Sequence, residues 1–341
     1  MSRGFGSDNH AGVLPEVLEA IAGANDGHAP SYGHDPRTTR VEALFREQLG
    51  DDVHAFLVFN GSGANVLSMR AFLRPWEGVI CADTAHLNVD EGGAPEAWGM
   101  KLLTVATPDG KLTPDLVSTR VVRLDDEHAV QPRIVSISQS TELGTLYSND
   151  EVRALADHAH AHGLLLHVDG ARITNAAAAL GCSLREATTD LGVDVLSFGG
   201  TKAGLLAGEA VVVRSTEAAI ALPYLRKQTL QLASKMRFIA AQFEALLTDD
   251  LWRAAAGQAN AMAARLADAV RDIDGVQLTQ EPQANAVFAI LPPGVADHLR
   301  EKWFFYDWDE LRREVRWMCA WDTTAEDVDA FAADVAAAVR A

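Results

Sequence analysis

One stretch constrains the fold of this chain more than any other: Leu164-Leu-Leu-His-Val-Asp-Gly-Ala-Arg172. Apolar residues around a single histidine make a short buried strand, and its C-terminal end delivers a carboxylate, a tight turn at Gly170 and a guanidinium almost together. Val193-Asp-Val-Leu-Ser-Phe198 repeats the device, and Gly199-Gly200 carries the chain round to present Lys202. An aspartate and a lysine then face a common crevice at strand ends, which is where an open α/β sheet puts its chemistry.

Taken alone, Asp169 reads equally well as a helix N-cap before the alanine-rich run from Ala171. Lys202 alone reads as a surface lysine after a turn. As a pair they are the two protein groups that pyridoxal 5'-phosphate requires, a carboxylate on the pyridine nitrogen and a lysine that condenses with the aldehyde. The motifs His167-Val-Asp-Gly-Ala-Arg172 and Ser197-Phe-Gly-Gly-Thr-Lys202 resemble those of the low-specificity L-threonine aldolases, in the aspartate-aminotransferase-like class (fold type I) of pyridoxal-phosphate enzymes. The resemblance runs from Ser7-Asp-Asn to Arg316. It implies an α/β fold: a mostly parallel seven-stranded sheet flanked by helices, with a smaller α+β C-terminal domain. Residues 1–248 are expected to form the large cofactor-binding domain with an N-terminal arm, and residues 249–341 the small one.

Composition narrows the partners. The 341 residues, 48% hydrophobic and 22% charged, describe a globular protein without an apolar run of about 18 residues that would span a bilayer. The net charge of −18 disfavours nucleic acid and anionic membranes, both of which need a basic face. No signal-peptide core precedes the first elements, and Cys81, Cys182 and Cys319 are odd in number and widely spaced, so a cytoplasmic protein with reduced thiols and no metal is expected. An acidic protein that binds a phosphate and a carboxylate must concentrate positive charge locally. Arg226, Lys227, Lys235 and Arg237 form one such stretch, beside Arg172 and Arg316.

Along the chain, Asn60-Gly-Ser-Gly-Ala-Asn65 turns a strand over residues 55–59 into a helix expected near Ala64. Free N–H groups at a helix start suit a phosphate, which makes Gly61, Ser62 and Gly63 the phosphate cup. The resemblance assigns His86 to stacking on the cofactor ring, with Glu91-Gly-Gly93 completing its motif. It places Tyr32, in the loop of residues 27–36, near the active site at a subunit interface. Where some relatives carry a Thr-His pair with a suspected histidine base, this chain has Thr141-Glu142, which leaves Glu142, at a strand end, as the base itself or as a residue that orients a water. His158, His160 and His162 read as surface residues. Helices are expected over residues 230–247 and 252–273, then strand, helix, strand (304–306), strand (315–319) and a final helix. Arg316, on an otherwise apolar strand, needs an anion: an internal salt bridge, or a substrate carboxylate that suits its planar fork.

The resemblance implies retro-aldol cleavage of L-threonine, L-allo-threonine and other β-hydroxy-α-amino acids to glycine and an aldehyde. Ser7, Arg172 and Arg316 would hold the carboxylate, with Lys227 neutralising anions near the cofactor. The hydroxyl base stays open among His86, Glu142, a water and the cofactor phosphate. A β-eliminating lyase and a catalytically idle relative are the alternatives. Because residues 27–36 and 226–237 have no nameable partner within the chain, a homodimer or homotetramer with shared active sites is expected.

Overall fold

The computed structural model describes residues 4–340. Its larger sheet comprises β1 (His54–Val58), β2 (Glu77–Ala82), β3 (Lys101–Val105), β4 (Gln131–Ser138), β5 (Leu165–Gly170), β6 (Val195–Gly199) and β7 (Glu209–Val213), in the order β1-β7-β6-β5-β4-β2-β3. Only β7 runs antiparallel to its neighbours, pairing with β1 and β6. The central strands are buried end to end, as near-continuous Val/Ile/Leu runs covered by helices on both faces should be. Register aligns Ser138, Asp169 and Ser197 across β4, β5 and β6, so three polar side chains meet at one carboxyl edge. His167, two residues before Asp169, is a satisfied core histidine. Its ring bonds Ser136 and Ser197 hydroxyls at 2.8 and 2.9 Å, and burial pushes it from 6.5 to about 4.

A second, antiparallel sheet holds β8 (Gln277–Leu278), β9 (Ala286–Ile290), β10 (Tyr306–Asp309) and β11 (Glu314–Met318), ordered β10-β11-β9-β8. One face packs on the helices Leu251–Val270 and Ala325–Arg340 through an aromatic cluster of Trp303, Phe305, Trp317 and Phe331. Phe5 of the N-terminal arm belongs to that cluster: it stacks on Phe331 at 4.5 Å, while its N–H donates to Phe304 and its carbonyl accepts from Met318. The arm is thereby pinned, and the next residues run back towards the end of β5.

Several expected elements move. The helix after β1 begins at Gly61 rather than near Ala64, because Asn60 caps it by accepting from Gly63 N at 2.8 Å. Asp169 caps nothing; the next helix, Ile173–Leu180, starts after Arg172. The helix expected over 230–247 is shortened to Arg237–Leu246, and an unexpected helix, Thr216–Gln228, precedes it, with Leu230 between them at φ 64°. The strand expected over 304–306 starts at Tyr306, since Phe304 spends its carbonyl on the arm.

Candidate active site

The polar edge of the large sheet is wired by one continuous network. Asp169 Oδ1 accepts from the Ala171 N–H at 3.0 Å and Oδ2 from Asn65 Nδ2 at 2.8 Å. The same Asn65 amide donates to Glu91 Oε1 at 2.8 Å, and that oxygen meets His86 Nδ1 at 3.0 Å. Asn65 therefore couples the carboxylate of β5 to the imidazole beside β2. It was no candidate in the sequence, where the only signal is an amide facing inward on a helix of small apolar residues. The Glu91 hydrogen bond, with Asp169 adding to it against burial, raises His86 above the usual histidine range.

Glu142 closes this side. Its Oε1 accepts from His86 N at 2.9 Å and Ser138 Oγ at 2.7 Å, whereas Oε2 is buried without a partner. Burial holds the carboxyl above the normal glutamate range. Lys202 projects from a single turn, Thr201–Ala203, directly after β6 and makes no hydrogen bond among the described residues. Arg172 nearby, and then burial, lower its ammonium pKa, against Asp8, Asp169 and Glu209. A narrow cavity lined by Asp8, Asn175, Lys202 and Asn285 adjoins it. A roomier cavity of about 380 Å³, between Arg74, Glu77, Arg133 and Glu217, lies at the opposite, amino end of the strands, where this architecture does not place ligands.

The two arginines differ in their partners. Arg172 is engaged bidentately by Asp8, Nε at 2.7 Å and Nη2 at 2.8 Å. Burial works against the Asp8 anion, yet Arg172 together with Lys202 holds it at about 2. Arg316 has no ion-pair partner among the described residues. Its guanidinium lies 4.9 Å from the Trp308 ring, Nη2 reaches Gly6 O at 3.4 Å, and Nε is buried and unbonded. Burial, and then Arg172, lower its pKa, so this cation still lacks an anion. Ser7 sits on the same arm, half-buried, its hydroxyl accepting from Asn9 N.

Gly61, Ser62 and Gly63 form the first turn of their helix, but not equally. Gly63 N is taken by Asn60, and a methyl there would overlap the Gln231 carboxamide, which itself accepts from Phe59 N at 3.0 Å. Around Gly61 a methyl would meet nothing within 4 Å. Gln231 was another residue that the sequence did not single out. The loop of residues 27–36 and the basic segment do have partners within the chain, namely each other. Tyr32 N donates to Ser234 O at 2.8 Å, Arg237 to Gly27 O at 3.1 Å, and Lys227 Nζ lies 5.1 Å from the Tyr32 ring.

The chain matches the beta-eliminating lyase family over residues 4–292. The low specificity L-threonine aldolase of Pseudomonas aeruginosa is 43% identical over 334 residues, 97% of this chain and 96% of its own. The chain belongs to the low-specificity L-threonine aldolase family. A second member, from a Pseudomonas species, is 42% identical over 100% of this chain and 99% of its own. A solved Leishmania major threonine aldolase superposes with a TM-score of 0.94 at 29% identity, each chain covered to 99%. Members of this family depend on pyridoxal 5'-phosphate. The residues present fit that group: a fixed carboxylate at Asp169, a half-buried lysine without a hydrogen bond among the described residues at Lys202, and an uncrowded helix start at Gly61.

Proposed function

We propose that this protein cleaves β-hydroxy-α-amino acids such as L-threonine and L-allo-threonine to glycine and an aldehyde. The observation that carries the reading is the unpartnered pair at the site, the Arg316 guanidinium awaiting an anion and the Glu142 Oε2 awaiting a proton donor. A substrate with a carboxylate at one end and a β-hydroxyl at the other satisfies both. Pyridoxal phosphate, when bound, supplies the electron sink into which a bond at Cα breaks. Lys202 would hold it covalently, Asp169 would pair with its ring nitrogen, His86 would pack on its ring, and Gly61 and Ser62 would take its phosphate.

The division of labour among the remaining residues follows from their partners. Arg316 holds the substrate carboxylate in its planar fork, and Ser7 adds a hydroxyl. Arg172 keeps the arm in place through Asp8 rather than binding substrate. Orientation selects the bond that breaks, and the carboxylate anchor sets Cα–Cβ for cleavage. Glu142 accepts the β-hydroxyl proton at Oε2, its raised pKa lying nearer to neutrality than an ordinary carboxylate's. We read residues 1–248 and 249–341 as two domains, each with its own sheet. A homodimer or homotetramer in which Tyr32 and Lys227 serve a shared site completes the picture, supported by the exposed Tyr32 beside Lys227. A cytoplasmic location accords with three free thiols, and no described helix is long and apolar enough to cross a membrane.

Incubation with L-threonine and L-allo-threonine, assaying acetaldehyde and glycine beside 2-oxobutyrate and ammonia, tests the reaction. Acetaldehyde and glycine in equal amounts are expected. Oxo acid without glycine would make the protein a β-eliminating enzyme instead, and no turnover at all an idle relative. Lys202→Ala should lose the visible absorbance of bound cofactor that borohydride bleaches in the parent protein.

A further inference from the structure

Glu209 is a buried acid next to the site that the mechanism leaves unused. Glu209 opens β7 opposite Gly199 in register, and its carboxylate lies inside the protein under the turn that carries Lys202. Oε2 accepts the Gly200 N–H at 2.6 Å, and Thr201 supplies further hydrogen bonds. Across the same turn, Thr201 Oγ1 accepts from Gly208 N at 3.3 Å, tying its two ends together. The turn has no room to adjust. A methyl at Gly200 would overlap the Gly208 carbonyl, and one at Gly199 the Ala171 backbone. Gly200 N–H has no strand partner beyond the end of β6, so without Glu209 a buried donor would be orphaned at the position two residues before Lys202.

We propose that Glu209 is a positioning residue for Lys202, holding the lysine's turn through the Gly200 N–H and acting as a buried counter-charge to the lysine nitrogen. The inference rests on Lys202 being the lysine that holds the cofactor. The charged groups around that nitrogen come from every side: Arg172 after β5, Asp8 on the arm, Asp169 at the end of β5, His86 beside β2, and Glu209 beneath. Arg172 disfavours a positive charge there, and Asp8 is already committed to Arg172. Glu209, like Asp169, makes no salt bridge among the described side chains, and Asp169 is the carboxylate assigned to the cofactor's ring nitrogen, which leaves Glu209 for the lysine. Burial lifts its carboxyl to about 7, opposed by the Thr201 and Gly200 hydrogen bonds and by Lys202, so its charge is present in the upper part of the neutral range.

Two substitutions separate holding from charge. Glu209→Gln keeps an oxygen for Gly200 N–H and removes the charge; Glu209→Ala removes both. In the holoenzyme, the visible absorbance of the bound cofactor is titrated with pH, since its midpoint reports protonation at the lysine-linked nitrogen. The expected result is a midpoint lower by about half a pH unit or more in Glu209→Gln, with cofactor affinity within about threefold of the parent. Glu209→Ala should show the same lowering and, in addition, a cofactor Kd raised about tenfold. An unchanged midpoint in Glu209→Gln overturns the counter-charge, even if the alanine variant does not fold. Unchanged affinity in a folded Glu209→Ala overturns the holding role. Failure of the underlying assignment looks different: Lys202→Ala would then keep its borohydride-sensitive band, whatever Glu209 variants do.

Discussion

Glu142 owes its character to what surrounds it rather than to its type. Two donors, His86 N and Ser138 Oγ, fix one oxygen, while the other is desolvated and left open. Burial raises the pKa, so the neutral form persists above the pH at which a solvated glutamate ionises. A base works only when ionised, so kcat/KM should rise with pH through this elevated value and lose its acid limb below it. Glu142→Gln preserves shape and the two accepted hydrogen bonds but cannot take a proton. We expect it to bind cofactor normally, lose about 10² to 10⁴ in rate, and show a flat profile where the parent rises. Persistence of the limb at a scaled-down rate would move the base to His86, whose own pKa is also raised. At this scale the sequence was informative about residue types and silent about their partners. Lys202, Asp169 and His86 lie in motifs, but the clamp on Arg172 comes from Asp8, 164 residues away, and nothing local in either stretch announces it.

Among the elements, the helix Gly61–Arg70 contributes most to the site, offering its amino end to an anion and its flank, through Asn65, to Asp169. The two glycines at that end should respond differently. At Gly61 the fold has space for a methyl, and alanine is the better helix former by up to about 1 kcal/mol, so Gly61→Ala should keep or slightly raise Tm. The methyl would nevertheless intrude where the phosphate is proposed to sit. We expect weaker binding of pyridoxal phosphate with unchanged binding of pyridoxal, measured by absorbance titration; equal loss for both would remove Gly61 from the phosphate cup. Gly63→Ala should lower Tm instead, because its methyl displaces Gln231 from Phe59 N. Strands were the most legible elements, since buried runs such as residues 165–168 end at glycine turns. The helix Thr216–Gln228 was hidden by Pro223 and by exposed Ile220 and Tyr224, which blur its apolar stripe. The apolar pattern of residues 230–247 continued through a loop because Leu230 and Leu232 resemble helix positions. Only the left-handed backbone at Leu230 reveals the break.

For the molecule as a whole, the N-terminal arm and the loop around Tyr32 raise the same question, which parts of the chain complete which site. The arm is answered within the chain: Phe5 is locked into the second core and Asp8 onto Arg172. Tyr32 is not. Its backbone is held by Ser234, but the ring stays 45% exposed beneath Lys227, a conformation costly for a non-glycine residue at φ 61° and poorly rewarded by contacts of its own chain. An isologous dimer would bring each such loop to the other subunit's site, two sites being completed at once. Mixing Lys202→Ala and Tyr32→Ala proteins, each shown to be inactive alone, under conditions of subunit exchange tests this. A mixed dimer then contains one site with intact Lys202 from one chain and intact Tyr32 from the other, and one site with neither. Random reassortment makes half of the dimers mixed, so up to about a quarter of the parent activity should return. No recovery, with exchange demonstrated by differently tagged chains, would assign Tyr32 to the site of its own subunit.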